Sequence, residues 1–108
     1  LYLVYEMLKD FLDKDVQVIA SGGAIKNLPW WIQTTSDVLD KEIYISKENQ
    51  DTGRGVAIMI LRALGYIESF EDIDSETDEQ YSPDKKNHKI HKNLIDIHLR
   101  LYEKMMNN

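Results

Sequence analysis

The chain of 108 residues contains no cysteine. Disulfides, thiolate metal sites and cysteine nucleophiles are therefore excluded, and a cytoplasmic setting is compatible. No apolar run approaches the roughly 18 residues that read as a membrane span, and no signal peptide is visible. Positive charge is in deficit: 13 Lys and Arg face 19 Asp and Glu, a net charge of −6. That balance argues against nucleic acid or an anionic membrane surface as a general partner. It leaves room for a local phosphate site, because backbone amides can build one without net positive charge. An initial methionine is missing too. Leu1 lies inside a helical pattern, so we expect a chain cut from something longer.

What is present reads as globular, with 43% hydrophobic residues. A chain of this length is one domain or a piece of one. It buries only roughly 60–65% of its unfolded surface, so its core is modest. Leu1, Val4, Tyr5, Leu8, Phe11 and Leu12 follow helical spacing, predicting a helix that ends near Asp13. Val16, Val18 and Ile19 form a short β-branched run, stopped by Ser21-Gly22-Gly23. Leu28 to Leu39 reads as a second helix, with Asn27 as its cap and Pro29 in the first turn. Glu42 to Ile45 is a second strand. Thr52 to Leu64 is a third helix, apolar almost all round and so expected to be buried, with Gly65 as its C-terminal cap.

From Glu68 to Glu79 the chain is strongly acidic, "ESFEDIDSETDE", and reads as a solvated loop. Tyr81, Ser82 and Pro83 lead into a last helix, where Ile90, Leu94, Ile97, Leu101 and Met105 make one apolar face. Two strands separated by a helix predict a parallel βαβ unit. Two strands alone make a poor sheet, so we expect that neighbouring strands were removed or that another chain supplies them.

The stretch "VQVIASGGAIKNLPWW" joins a strand, two glycines and a helix start. Glycine lets the backbone adopt positive φ and approach a ligand closely. The helix start aims free N–H groups and its positive dipole end at an anion. A plain turn explains the same glycines. The dinucleotide fingerprint is excluded because its third glycine is missing, and a Walker loop because no Gly-Lys-Ser/Thr follows.

The run "ASGGAIKNLPWWIQTTSDVLDKEI" resembles the C-terminal domain of the FGGY carbohydrate kinases, through Gly22, Gly23, Asn27, Trp31, Gln33, Ser36 and Asp37. "DTGRGVAIMILRALGY" looks like that family's Thr-Ala-Leu-Gly-Ala-Ala helix. Thr52, Gly55 and Ala57 keep the pattern, while Gly53 and Arg54 replace alanine and leucine. The tail "YSPDKKNHKIHKNLIDIHLRLYEKM" is similar to the closing helix of the gluconate and xylulose kinase branches. The three motifs cover nearly the whole chain.

The resemblance implies an α/β fold, part of a ribonuclease H-like (actin-like) domain with short parallel strands and flanking helices. It implies ATP with Mg2+ as the nucleotide, held by Gly22, Gly23 and the adjoining Ala24, with Asn27 near the adenosine. One residue is extra between Gly23 and Trp31, so counting back from Trp31 puts Leu28 in Asn27's place. Asn27 fits the chemistry, since an amide can hydrogen-bond a base or ribose. A sugar or sugar-acid substrate, gluconate or xylulose, would be bound by an N-terminal domain that lies outside this chain. The catalytic aspartate would lie there too, leaving these 108 residues inactive alone.

Other residues carry weaker signals. Asp37 is read as bonding a neighbouring loop or facing water rather than as a catalytic base. Of Trp30 and Trp31, about 100° apart on a helix, one is expected to pack and the other to meet solvent, the ligand or the missing domain. Gly55 is expected to let its helix pass close to the glycine turn. Lys26 and Arg54 could pair with phosphates, but surface solvation is the plainer reading. His91 and His98 share a helix face without matching a zinc signature. The competing reading is a non-catalytic α/β assembly module that forms a homodimer through an exposed sheet edge.

Overall fold

β-branched residues build the sheet. In the computed structural model, which describes residues 1–107, Val18–Ala20 forms β1 and Ile43–Ser46 forms β2. They pair in parallel, with Val18 opposite Ile43 and Ala20 opposite Ile45, as expected of strands joined through a helix. The connection holds two helices rather than one, the single-turn α2 (Gly23–Lys26) and α3 (Pro29–Leu39). Pro29 opens α3, where a missing N–H costs nothing. The residue capping α3 is Leu28, not Asn27, and no side chain caps that helix. Asn27 instead closes α2. Its backbone N–H and its side-chain amide both donate to the Gly23 carbonyl, at 3.3 and 2.9 Å. Asp40 ends α3 at φ 53°, a left-handed conformation that Asp tolerates better than most residues.

A third strand lies where the acidic loop was expected. Thr77–Tyr81 forms β3 and pairs antiparallel with β2, with Ile43 opposite Tyr81 and an irregularity between Tyr44 and Ser46. The sheet is mixed, in the order β1-β2-β3. Asp78, Glu79 and Gln80 are exposed on this edge strand. Charge on an edge discourages further pairing, and the same charge disguised the strand as a loop. Upstream, the Ser69 hydroxyl accepts from Glu71 N–H while the Asp72 carboxylate accepts from Ser69 N–H, fixing a short 3-10 turn over Phe70–Asp72.

The core is small. Ile32 of α3 packs on Ile43 and Ile45 of β2, with Val18, Ala20, Ile25 and Tyr81 around them. The remaining helices project from this centre. The first, α1, spans Tyr2–Leu8, with a 3-10 turn over Lys9–Phe11. The fourth, α4 (Asp51–Ala63), ends as expected at Gly65, whose φ is 80°. Tyr66 N–H reaches Leu61 O at 3.0 Å and Gly65 N–H reaches Arg62 O at 3.2 Å, the paired bonds of a Schellman end. The expected burial of α4 is not found. None of its residues is buried, and Val56, Met59 and Ile60 are all more than half exposed. Burial needs a second layer, and no described element packs extensively on α4.

The last helix, α5 (Lys85–Met106), packs on α3 through a different face from the one its periodicity advertises. His88, His91, Ile95 and Leu99 are half-buried. Ile90, Leu94, Ile97, Leu101 and Met105 are half exposed or more. At about 100° per residue the two stripes are centred about 125° apart around the helix. The radius of gyration, 17.5 Å, exceeds the roughly 13 Å of a compact domain this long. No described helix is long and apolar enough to cross a membrane.

Stability should therefore be concentrated in the β2–α3 contact. Ile43→Ala is expected to cost about 2–4 kcal/mol, whereas Ile97→Ala, on the open stripe of α5, should cost less than about 1 kcal/mol. Urea denaturation of both variants checks the contrast.

Candidate functional site

The carboxyl ends of β1 and β2 both run into helix starts. After Ala20 and Ser21 comes Gly22, with φ 106° and ψ 150°. That conformation is natural for glycine and strained for any residue with a Cβ. Gly23 then opens α2. A Cβ added at Gly22 or Gly23 would meet no atom within 4 Å, so the turn faces open space rather than a packed neighbour. Gly22, Gly23 and Ala24 are all exposed. The first N–H groups of α2 have no carbonyl within the helix to bond. Asn27 is exposed as well, but its amide nitrogen is committed to the Gly23 carbonyl. It braces the turn from within, while Leu28 is half-buried at the start of α3.

The second helix start follows β2. The Ser46 hydroxyl accepts from Glu48 N–H and donates to Asp51 Oδ1, both at 3.2 Å. The two starts are tied together by Lys26, whose ammonium donates to the Glu48 carbonyl and to Asn49 Oδ1. Arg54 donates to the Asp74 carbonyl at 2.8 Å and lies 3.5 Å from the Glu48 carboxylate. Both basic residues are thus held by protein groups, rather than solvated as expected. Gly55 does not bring α4 against the glycine turn, since a Cβ there would meet nothing within 4 Å.

The Trp-x-Gln…Ser-Asp motif serves another purpose. Asp37 is only 3% exposed. Its Oδ1 accepts from the Asp84 N–H at 2.8 Å and from Gln33 Nε2 at 2.9 Å; its Oδ2 accepts from Asn87 Nδ2 at 3.2 Å. His88 Nδ1 donates to the Asp37 carbonyl at 2.8 Å. The Asp84 carboxylate in turn accepts from Asn87 N–H, capping α5. In an ordinary capping box the third helical residue returns a bond to the cap's own N–H. Here Asp37 supplies that bond from another helix. Ser36, fully buried, places its hydroxyl 2.7 Å from the Lys41 carbonyl and 3.2 Å from the Tyr81 carbonyl. Gln33 also donates to the Ser82 carbonyl at 2.8 Å. The motif is a polar joint between α3, the end of β3 and the start of α5. Asp37 bonds a neighbouring turn, as its reading allowed, and faces no water.

The tryptophans depart from expectation. Trp30 is 67% exposed and Trp31 47% exposed, because Ile32 occupies the core position. Trp31 borders an apolar cavity of about 280 Å³ shared with Val18, Ala20 and Thr35.

Comparison with known proteins places these features in context. No family profile matches the chain. Over 103 residues, 94% of its length, it is 26% identical to the gluconokinase of Bacillus subtilis (strain 168), of which it spans 20%. Two solved structures share the fold. Ligand-bound xylulose kinase from Lactobacillus acidophilus superposes with a TM-score of 0.78 at 19% identity, over 97% of this chain and 22% of that one. Gluconate kinase from the same organism gives 0.78 at 20% identity, over 94% and 21%. The chain thus spans about a fifth of the length of the relatives it matches. The resemblance to FGGY carbohydrate kinases drawn from the motifs is met by these relatives.

The polar joint makes acid stability a test. Burial pushes the Asp37 carboxyl up, but the Asp84 N–H, the Gln33 and Asn87 amides and the nearby His91 outweigh it and hold it below its ordinary value. The Lys85 hydrogen bond, foremost, lowers Asp40 as well. For a depressed carboxyl, the stabilisation is complete above the unfolded value of about 3.9 and is lost as pH falls through the folded one. Asp37→Asn turns an amide toward three donors and should cost about 2–3 kcal/mol at pH 7. Its urea midpoint should then vary less between pH 5 and pH 3 than that of the unaltered chain.

Proposed function

We propose that the chain is the C-terminal part of the nucleotide-binding domain of an ATP-dependent carbohydrate kinase acting on a sugar or sugar acid. Gluconate and xylulose are the favoured substrates, from the tail's resemblance and from what the relatives are named for. The domain class would be ribonuclease H-like and the setting cytoplasmic. The observation that carries the reading is the strand–Gly22–Gly23–helix turn at the carboxyl end of β1. Gly22 has φ 106° there, and nothing stands within 4 Å of where a Cβ would be on either glycine. In open α/β sheets, ligands gather at the carboxyl ends of the strands.

The turn fits a triphosphate because its donors are amides, which need no net positive charge in a chain of −6. Gly22, Gly23 and Ala24 would face the phosphates and ribose. Asn27 would act beside the adenosine chiefly by holding the turn, since its amide nitrogen is already bonded to the Gly23 carbonyl. Magnesium would arrive on the phosphate oxygens of ATP. Phosphoryl transfer relies on positioning and charge stabilisation more than on covalent help from the protein. These residues would orient the nucleotide, while the base that takes the sugar hydroxyl's proton would lie in the N-terminal domain. This chain alone would not turn over. A second reading rests on β1, which stands at one edge of the sheet. Two copies pairing there would make an assembly module, and sedimentation would reveal that dimer.

Two variants separate the roles of the glycines. Gly23→Val keeps an allowed backbone and should cost at most about 1 kcal/mol, yet it fills the space a phosphate would occupy. ATP–magnesium titration, followed by Trp30 and Trp31 fluorescence, should show binding weakened more than about tenfold. Gly22→Val forces a branched residue to positive φ and should lower stability by about 1–3 kcal/mol. Complete protein that bound no nucleotide would overturn the reading. In that protein, ADP release is expected to depend on added gluconate or xylulose, and phosphorylation by the isolated chain would overturn the division of labour.

A further inference from the structure

We infer that Lys26 is a positioning residue that locks the two helix starts into one cradle; this rests on the nucleotide reading of the Gly22–Gly23 turn. The geometry is specific. Lys26 is the last residue of α2, one turn beyond Gly23. Its ammonium crosses to the β2–α4 connection and bonds the Glu48 carbonyl and Asn49 Oδ1, 22 and 23 residues away in sequence. No described element packs extensively on α4. α4 is also tethered by Arg54, bonded to the Asp74 carbonyl and beside the Glu48 carboxylate, and by the Ser46–Asp51 bond at its start.

The partners matter as much as the reach. A backbone carbonyl and a side-chain amide are uncharged, so neither bond is an ion pair. The nearby Glu48 carboxylate is engaged by Arg54 rather than by Lys26. One side chain therefore links the helix that follows the glycine turn to the connection leading into the Asp51–Thr52–Gly53 helix start. It does so without needing to touch the nucleotide.

Hydrogen exchange and nucleotide binding on the complete protein test this together, with Lys26→Met and Lys26→Arg. Lys26→Met should speed amide exchange in both 21–25 and 46–52 without nucleotide. It should weaken ATP affinity by about tenfold, the loss of one charge-assisted link, and raise the KM for ATP while the KM for sugar holds. Lys26→Arg, which keeps charge and donors, should restore affinity to within about threefold. Exchange unchanged in Lys26→Met, or affinity equal to that of the unaltered protein, overturns the inference while the glycine site stands. A general loss of stability that Arg does not rescue also overturns it. An unaltered protein that binds no ATP overturns the nucleotide reading itself, and the functional half of this inference with it.

Discussion

One carboxylate holds the third helix and the last helix of this chain together. Asp37 sits on α3, buried, and accepts bonds from the Asp84 backbone and from the Gln33 and Asn87 amides. An ion buried without partners would be costly; with three donors it becomes a joint. It also completes the cap of a helix that begins 47 residues later. Without it, α5 would rest on its half-buried face of His88, His91, Ile95 and Leu99, the His88 bond to the Asp37 backbone carbonyl and the Lys85–Asp40 ion pair. The motif that first suggested a kinase is, at this position, an architectural device that sets where the last helix starts.

The second constraint is the shortage of covering layers. A three-stranded sheet with one helix packed on β2 can bury little more than Ile32, Leu39, Ile43 and Ile45. The apolar stripes of α4 and α5 are left facing outward. Apolar surface of that extent normally marks an interaction surface. Such surface fits the proposal that these residues belong to a longer kinase, where further elements would lie against it.

The proposed nucleotide site would have to attract an anion to an acidic protein. Its donors are main-chain amides at a glycine turn, and its nearby cations, Lys26 and Arg54, are occupied by protein groups. Basic side chains are thus spent on fixing loops rather than offered bare to a ligand. Asn27 follows the same logic, since its side chain bonds the turn it belongs to.

Much of this was legible in the residues themselves. The short strands at Val18–Ala20 and Ile43–Ser46, the stop at Gly65 and the last residue of α3 follow from local chemistry that acts within a few positions, whereas the start of α3 was capped by Leu28 and not by Asn27. The glycine pair after a strand was legible for the same reason: positive φ at Gly22 is a property of one residue. Tertiary structure decided the rest, because it depended on what lies opposite. TDEQY became β3 only because β2 had an open side to pair with. The stripe of α5 that periodicity picked out stayed open because α3 met the other face, held there by the Asp37 joint. A sequence pattern states which surface of a helix is apolar; only the packed neighbours determine which surface is used.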